Sequence, residues 1–292
     1  MKMQKQELWV TTTDQYQLFV KMWGDQDRPA LILVHGYPDN QDVWEGIVKH
    51  LTEQFYVVTY DVRGAGRSDV PKKIREYRLQ QLSLDLEVVA NAVLPNRQYH
   101  LAAHDWGSIQ TWESVTEPRF KDKILSYTTI SGPCLDHAAF WMRKKFKNNP
   151  DQFFKQLAKS WYIMLFHLPF AAPIFWKYVP QKSWDKIFRF LENNQNIESN
   201  QNINADGRFG VSLYRANFIP ALARPRQRFA QCPVQAVVLE QDKYVSPELV
   251  DEMAHWAKDL SVTHLAANHW AVVSQAANVA KIIADFANKN NK

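Results

Sequence analysis

The sequence has few of the features that mark an exported protein. Its 292 residues include only two cysteines, Cys134 and Cys232, which are too few for a disulfide framework. The first ten residues, MKMQKQELWV, contain charged and amide side chains but no apolar stretch of the kind found in signal peptides. We therefore expect a reduced protein of the cytoplasm.

Membrane-spanning segments and nucleic-acid-binding motifs are also lacking. The longest apolar run, at 161–179, is interrupted by Pro169 and Pro173, which predicts two short buried helices instead of a membrane span. Contact of this run with lipid or with an apolar substrate is the weaker interpretation. The net charge of +5 is spread along the chain without a DNA- or RNA-docking motif. We expect no transmembrane segment and no nucleic-acid partner, and the oligomeric state stays open between monomer and homodimer.

The sequence does contain a regular alternation of strand-like and helix-like segments. Several of the strand-like segments are continuous apolar runs, which is typical of strands buried on both faces. The alternation predicts an α/β fold with a mostly parallel, doubly wound sheet. The eight predicted strands are ELWVTT, YQLFVKMW, ALILVHG, YVVTYD, YHLAAHD, KILSYTTISG, VQAVVLEQD and VTHLAA, and the helices between them include DVWEGIVKHL, LQQLSLDLEVVANAV, PELVDEMAHWAKDL and VAKIIADFANK.

One long segment breaks this alternation. Residues 134–229 are rich in Trp, Phe, Asn and Pro and contain few β-branched runs. We expect a helical cap there, inserted into an α/β core made of residues 1–133 and 230–292. Because the sites of parallel sheets lie beyond the carboxyl ends of the strands, a cap that enters at this point would cover the site.

The stretch HLAAHDWGSIQ, at 100–110, combines a strand, a sharp turn and the start of a helix. The small residues Ala103 and Gly107 let the two elements approach closely. This pattern is typical of a nucleophile elbow, with Asp105 where a serine would make the usual hydrolase. A purely structural role for Asp105, as the N-cap of the helix, is the alternative.

Three further polar signals follow predicted strands, namely HGYP at 35–38, Asp242 and His269. A nucleophile, an acid and a histidine in this order are typical of α/β-hydrolases. A carboxylate that attacks a saturated carbon forms an ester, which water activated by His269 can hydrolyse while Asp242 orients the imidazole. The backbone N–H groups of Tyr37 and Trp106 are the candidate oxyanion donors. This set predicts displacement at carbon, either epoxide opening or carbon–halogen cleavage.

Two of these assignments have rivals in the chain. His255 and His264 lie near His269, but His255 has helical neighbours and His264 lies inside a strand, whereas a base belongs just past a strand. Asp136 is the alternative to Asp242, because some hydrolases carry the acid after the preceding strand.

The motifs together resemble one family. HGYP (with His35, Gly36 and Pro38), DVRGAGRSD at 61–69, HDWGS (with Gly107) and the Asp242/His269 pair make the chain similar to the α/β-hydrolase fold epoxide hydrolases over essentially its whole length. The first two thirds resemble especially the hydrolase part of mycobacterial proteins that fuse an epoxide hydrolase to a short-chain dehydrogenase. We expect this chain to lack that second domain, since it ends too early to contain it.

This resemblance implies further residues and a substrate. Tyr162 in WYIMLF and Tyr214 in SLYRANF would bind the epoxide oxygen, although other tyrosines of the cap, such as Tyr178, have the same chemistry. The enzyme would use no cofactor and no metal and would act on a small apolar epoxide. A haloalkane dehalogenase is the alternative, but Tyr37 stands where such enzymes usually place an asparagine. A non-catalytic ligand-binding protein of this fold is the third reading.

Overall fold

An eight-stranded sheet forms the centre of the molecule, in a computed structural model that describes residues 5–194 and 197–291. The expected absence of a signal peptide concerns residues 1–10, of which residues 1–4 lie outside this description. The strands are β1 (Lys5–Thr11), β2 (Gln17–Trp23), β3 (Ala30–Val34), β4 (Tyr56–Tyr60), β5 (Tyr99–His104), β6 (Ile124–Ile130), β7 (Val234–Leu239) and β8 (Leu260–Leu265).

The sheet has the strand order β1-β2-β4-β3-β5-β6-β7-β8. Strands β3 to β8 pair in parallel, and only β1 and β2 run antiparallel to their neighbours. The central strands are buried along their whole length, as their continuous apolar runs predict. The prediction of a mostly parallel sheet of eight strands is therefore confirmed.

Helices cover both faces of the sheet and form a separate group between β6 and β7. Side chains of α1 and α12 pack on one face, and those of α2 and α3 pack on the other. The helices are α1 (Glu45–Leu51), α2 (Leu79–Val93), α3 (Trp106–Val115), α4 (Leu135–Asn148), α5 (Pro150–Lys159), α6 (Trp161–His167), α7 (Ala171–Tyr178), α8 (Gln181–Glu192), α9 (Ile203–Ala223), α10 (Met253–Trp256), α11 (Ala271–Ser274) and α12 (Ala276–Lys289).

The inserted helices α4 to α9 are tied to the sheet by buried polar contacts. Asp206 on α9 accepts hydrogen bonds from the Asn40 side chain at 3.0 Å and from the Gly66 backbone N–H at 2.9 Å. Farther along α9, the Asn217 side chain accepts from the backbone N–H of Leu79 at 3.0 Å. Helix α9 therefore sets the position of the insertion over the carboxyl end of the sheet.

The run at 161–179 forms two short helices, α6 and α7, as the sequence predicts. Pro169 lies between them, and Pro173 lies in the first turn of α7, where a backbone N–H has no helical partner to lose. The prediction that both helices are buried is wrong, because Trp161, Met164 and several neighbours are exposed. These helices form the outer layer of the insertion, so each buries only one side.

The segment PELVDEMAHWAKDL, predicted as one helix, is also different in the structure. It contains a short 3-10 helix at Pro247–Val250 and the single turn α10. At the end of α10 the Trp256 ring stacks flat on His137, with centroids 4.7 Å apart, and Ala257 is already extended. This packing ends the helix before a second turn can form. Within the described residues, no helix is both long and apolar enough to cross a bilayer.

Prediction for the strand-to-helix contact. A Cβ on Gly107 would lie 2.1 Å from the carbonyl oxygen of Val34, so Gly107→Ala forces β3 and α3 apart. We expect it to lower the free energy of unfolding by about 2 kcal/mol or more in urea titrations. Gly46→Ala is the milder comparison, since its new Cβ would lie 3.0 Å from the Cβ of Ala276, a close contact that a shift of a few tenths of an ångström relieves, and the change should stay within about 1 kcal/mol. Equal losses in both variants would contradict this account.

Candidate active site

Asp105 stands on the sharp turn between β5 and α3. Its backbone has φ 51° and ψ −123°, a strained conformation for a residue other than glycine. The backbone N–H of Asp105 donates to the Ile130 carbonyl at 3.0 Å, and its carboxylate Oδ2 accepts from the Trp106 N–H at 2.6 Å. A Cβ on Gly36 would lie 2.5 Å from the Asp105 Cβ, so the HGYP loop packs directly against this residue. These contacts hold the carboxylate at the carboxyl end of the sheet.

His269 lies between two carboxylates. Its Nδ1 is 3.0 Å from Oδ2 of Asp242, and its Nε2 is 3.8 Å from Oδ1 of Asp105. Asp242 follows β7 and His269 follows β8, so neighbouring parallel strands bring the two side chains to one edge of the sheet. All three side chains are buried. The structure thus brings together the three residues that the sequence singles out.

The charges of these residues shift one another's pKa values. Burial alone would raise the pKa of Asp242, but the charge of His269 and hydrogen bonds from His269 and Ser131 bring it to about 2. Burial opposes protonation of His269, yet the two carboxylates raise its pKa well above the ordinary value. Burial raises the pKa of Asp105, against the pull of His269. The resting site therefore favours an imidazolium between two carboxylates.

Ser131 is a member of this group that the sequence analysis missed. Its hydroxyl donates a short hydrogen bond to Oδ2 of Asp242 and lies 2.9 Å from Nδ1 of His269. It comes just after β6, and its φ of 51° turns the chain sharply there. A polar residue directly after a strand is the same signal that marked Asp242 and His269. Ser131 can fix the Asp242 carboxylate and the His269 imidazole in position relative to each other.

Asp136, the rival acid, is engaged elsewhere. It lies on α4, where its carboxylate accepts from the backbone N–H of Arg226 at 2.8 Å and from the guanidinium of the same residue at 2.9 Å. Arg226 also binds Glu113 on α3. Asp136 thus belongs to an ion-pair network that ties the end of the insertion to the core, whereas Asp242 contacts His269.

The rival histidines also lie apart from Asp105. His264 is exposed on β8, with its ring 3.6 Å from Glu240, and His255 is exposed on α10. His104, next to Asp105 in the sequence, is buried, and its Nε2 lies 2.9 Å from the carbonyl oxygen of His269. Among these histidines, His269 is the one with a ring nitrogen near Asp105, and His104 contacts the backbone carbonyl of that histidine.

The HGYP loop connects the sheet to the inserted helices. His35 is buried, and its Nε2 accepts from the backbone N–H of Val62 at 2.9 Å. The Tyr37 hydroxyl donates to the Gly207 carbonyl on α9 at 3.0 Å. The Pro38 carbonyl accepts from the Asn200 side chain at 3.1 Å. The backbone that carries the candidate oxyanion donor Tyr37 is therefore held from both sides.

A cavity of about 920 Å³ lies between the sheet edge and helices α5 to α9. Asp105, His269 and Trp106 line it from the core, and Tyr162 on α6 and Tyr214 on α9 line it from the inserted helices, with the Tyr214 ring 4.8 Å from that of Trp106. The rest of the wall is mostly aliphatic and aromatic, and Tyr244, with its ring 4.8 Å from that of His269, is part of it. The cavity suits an apolar molecule that reaches a few polar groups.

The two cap tyrosines lie close to each other in this cavity. Their ring centroids are 6.1 Å apart. Burial raises the pKa of both phenols, and the charge of Asp105 adds to the effect, so both hydroxyls keep their protons at neutral pH. Two protonated phenols in the same cavity as a carboxylate can donate hydrogen bonds to a substrate oxygen that gains negative charge.

Asp39 is a second polar residue that the sequence analysis missed. It follows HGYP directly, is buried, and accepts from the indole N–H of Trp270 at 2.9 Å. Burial raises its pKa to about 7, opposed by that hydrogen bond and aided by the charge of Asp105. The sequence signal that could have identified Asp39 is its position, as an acidic residue directly after the HGYP motif.

Within the described ranges, no group of three or more His, Cys, Asp or Glu side chains is suited to binding a metal ion.

The chain matches the family model for the alpha/beta hydrolase fold over residues 29–276. It is 31% identical to a probable oxidoreductase, EphD, of Mycobacterium tuberculosis over 95% of this chain, but it spans only 49% of that protein. It is 25% identical to epoxide hydrolase 3 of Xenopus tropicalis, over 90% of this chain and 72% of the relative. The chain thus spans about half the length of the EphD relatives that it matches.

Solved structures show the same fold. A variant of an epoxide hydrolase from Bacillus megaterium, complexed with its product diol, aligns with a TM-score of 0.77 at 20% identity over 96% of this chain and 100% of that one. Cfl2 from Burkholderia cenocepacia aligns with a TM-score of 0.79 at 17% identity over 97% of this chain and 96% of that one. The predicted fold class is confirmed.

Prediction for the acid. Asp242→Asn removes the carboxylate that contacts Nδ1 of His269, so the pKa of His269 should fall by about one to three units. Histidine side-chain NMR as a function of pH measures this shift. Asp136→Asn is the control, because Asp136 contacts Arg226 instead, and it should leave the pKa of His269 unchanged. A fall in the Asp136 variant alone would transfer the role of acid to Asp136.

Proposed function

The chain belongs to the α/β-hydrolase fold family, and we propose that it is a cofactor-independent epoxide hydrolase that converts an apolar epoxide to a diol. One observation carries this proposal. The carboxylate of Asp105 and the imidazole of His269 share an apolar cavity with the protonated phenols of Tyr162 and Tyr214. Such a cavity supplies a nucleophile, a base and an acid for the leaving oxygen.

In the first step Oδ1 of Asp105 attacks a ring carbon of the epoxide, and the bond between that carbon and the ring oxygen breaks. Oδ2 is already bound to the Trp106 N–H, so Oδ1, which lies 3.8 Å from Nε2 of His269, is the oxygen that attacks. The ring oxygen would leave as an alkoxide, a poor leaving group, so hydrogen bonds and a proton from Tyr162 and Tyr214 lower the barrier as its charge grows. The product is an alkyl ester on Asp105.

In the second step the ester is hydrolysed. Esterification removes the charge of Asp105, one of the two carboxylates that raise the pKa of His269, so this pKa falls. The imidazolium then passes its proton to the tyrosine that protonated the ring oxygen, and the neutral imidazole becomes a base. His269, oriented by Asp242, takes a proton from water, and the hydroxide attacks Cγ of the ester. Charge on the ester oxygen is stabilised by the N–H groups of Trp106 and Tyr37. The bond between Cγ and the alkyl oxygen then breaks, the leaving alkoxide takes the remaining proton of the water to give the diol, and Asp105 is again a carboxylate.

The comparisons support this activity. Relatives from Xenopus tropicalis and Caenorhabditis elegans carry the name epoxide hydrolase, and the similar structure from Bacillus megaterium contains a diol product.

We further propose that residues 134–229 act as a cap over the site, with residues 1–133 and 230–292 as the core. We also propose a cytoplasmic location. The two cysteines form no disulfide, which supports it.

A haloalkane dehalogenase is the alternative function. Trp106 lines the cavity next to Asp105, where an indole N–H suits a halide. Against this, Tyr37 occupies the place of the usual second halide donor and points its hydroxyl to Gly207. Halide is a stable anion, so a dehalogenase would also have no use for two phenols in the same cavity as the nucleophile.

Prediction for the ester. His269→Gln removes the base, so the alkyl ester on Asp105 should accumulate when an epoxide is added. Intact-protein mass spectrometry should show a gain of one whole epoxide, and peptide mapping should place it on Asp105. Asp105→Ala is the control and should show no adduct and no turnover. Normal multiple turnover by Asp105→Ala would disprove the nucleophile.

Prediction for the tyrosines. Tyr162→Phe and Tyr214→Phe should each slow single-turnover ester formation by about ten- to a hundredfold, since each loses one hydrogen bond to the charged oxygen. The double variant should lose most activity. Tyr178→Phe, on the exposed side of α7, is the matched control and should react at the wild-type rate.

Two results would count against these assignments. Unchanged ester formation in both single variants and the double variant would remove the tyrosines from the mechanism. Halide release from haloalkanes without diol formation from epoxides would favour the dehalogenase.

A further inference from the structure

The outer surface of the inserted helices is unusually apolar. Nineteen large apolar side chains are exposed in the described part of the chain, and thirteen of them lie on or next to helices α4 to α9. Large exposed apolar patches on a folded domain generally mark a surface that contacts another apolar phase or partner. These side chains are Phe146, Phe154, Leu157, Trp161, Met164, Leu168, Phe170, Ile174, Phe175, Tyr178, Ile187, Phe190 and Ile219.

Many of these side chains form stripes along single helices. Phe170, Ile174 and Tyr178 recur at intervals of four along α7 and its N-cap, so they share one side of that helix. On α8, Ile187 and Phe190 are three residues apart and therefore also share a side. Part of the exposed apolar surface is thus arranged in stripes along α7 and α8.

The same face contains the mouth of the cavity. Five exposed apolar side chains from four different helices also line the cavity, which places them where it opens to the outside. They are Leu157 on α5, Trp161 and Met164 on α6, Phe175 on α7 and Ile187 on α8. An apolar rim around the opening joins the outer surface to the candidate active site.

Charge is distributed unevenly between the insertion and the rest of the chain. Residues 134–229 contain 15 Lys and Arg against 6 Asp and Glu, a net charge of +9, whereas the rest contains 20 against 24, a net charge of −4. Lys182 and Lys186 are exposed on α8 beside the apolar stripe, whereas Lys155 and Lys159, which line the cavity, are bound to Glu248 and to the Asp242 carbonyl. The apolar face is therefore set in the positive part of the molecule.

We propose that this face, defined by the exposed apolar side chains of α5 to α8 and the lysines beside them, docks on the surface of an anionic lipid bilayer. Apolar side chains would enter the interfacial region while lysines bind the acidic headgroups. A second copy of the chain would bring two faces of like positive charge together, which charge repulsion disfavours. Docking is independent of the proposed hydrolysis. Delivery of a lipid-dissolved epoxide through the mouth rests on that proposed function.

Vesicle flotation without any substrate tests the proposal. The protein should float with vesicles of phosphatidylcholine mixed with phosphatidylglycerol, but not with vesicles of phosphatidylcholine alone, and added salt should release it. The charge reversal Lys182→Glu with Lys186→Glu should weaken partitioning by about tenfold or more. The control, Lys121→Glu with Lys258→Glu, changes exposed lysines of the core and should change it less than about threefold.

A matched pair of isoleucines tests the apolar contribution. Ile174 on α7 is 54% exposed and Ile74 on the core is 47% exposed, so the two positions are matched in solvent exposure. Ile174→Ser should weaken partitioning by about three- to tenfold, and Ile74→Ser should not change it measurably. Circular dichroism confirms that both variants are folded.

Three outcomes would overturn the proposal. They are the absence of binding to anionic vesicles, equal binding to anionic and neutral vesicles, and equal losses in the insertion and core variants. If vesicle binding is absent and the protein is a dimer that Ile174→Ser dissociates, the face is a self-association surface. Because no turnover is measured, any of these outcomes leaves the proposed hydrolysis to its own tests.

Discussion

The burial of two carboxylates on either side of one imidazole is the constraint on which the site depends. Asp105 and Asp242 can stay ionised away from water only because His269 carries a compensating charge and nearby donors bind them. The same arrangement links the two proposed steps. As long as Asp105 is charged, the imidazole holds its proton, and once Asp105 is esterified this hold weakens. The charge of Asp105 thus controls the protonation of His269, which can favour attack by Asp105 first and hydrolysis of the ester second.

The geometry of this group is set by close backbone packing at the end of the sheet. Gly36 and Gly107 allow the HGYP loop, β3 and the elbow to lie in contact, at distances where a Cβ would collide. The strained backbone of Asp105 persists because the surrounding contacts leave it no alternative position. The fold therefore concentrates its tightest packing next to the residue that we propose to react.

The inserted helices have two faces with different chemistry. Their inner side completes the cavity with Tyr162 and Tyr214, and α9 is fixed to the core through Asp206 and Tyr37. Their outer side exposes apolar side chains in a positively charged setting. The requirement for an apolar cavity and the exposure of apolar side chains have a common origin, since short helices around a wide cavity cannot bury both sides.

The sequence by itself determined the sheet, the elbow and the order of nucleophile, acid and histidine, because continuous apolar strands and polar residues just past them are local patterns. It also pointed to the helical insertion, although the roles of Asp105, His269, Asp242, Tyr162 and Tyr214 stay predictions. Only the tertiary structure decided that Asp242 and not Asp136 contacts His269, that Ser131 bridges acid and imidazole, and that α6 and α7 are exposed. Those outcomes depend on which distant side chains meet across strand ends and on how wide a cavity the helices enclose, and neither is written in the local pattern of residues.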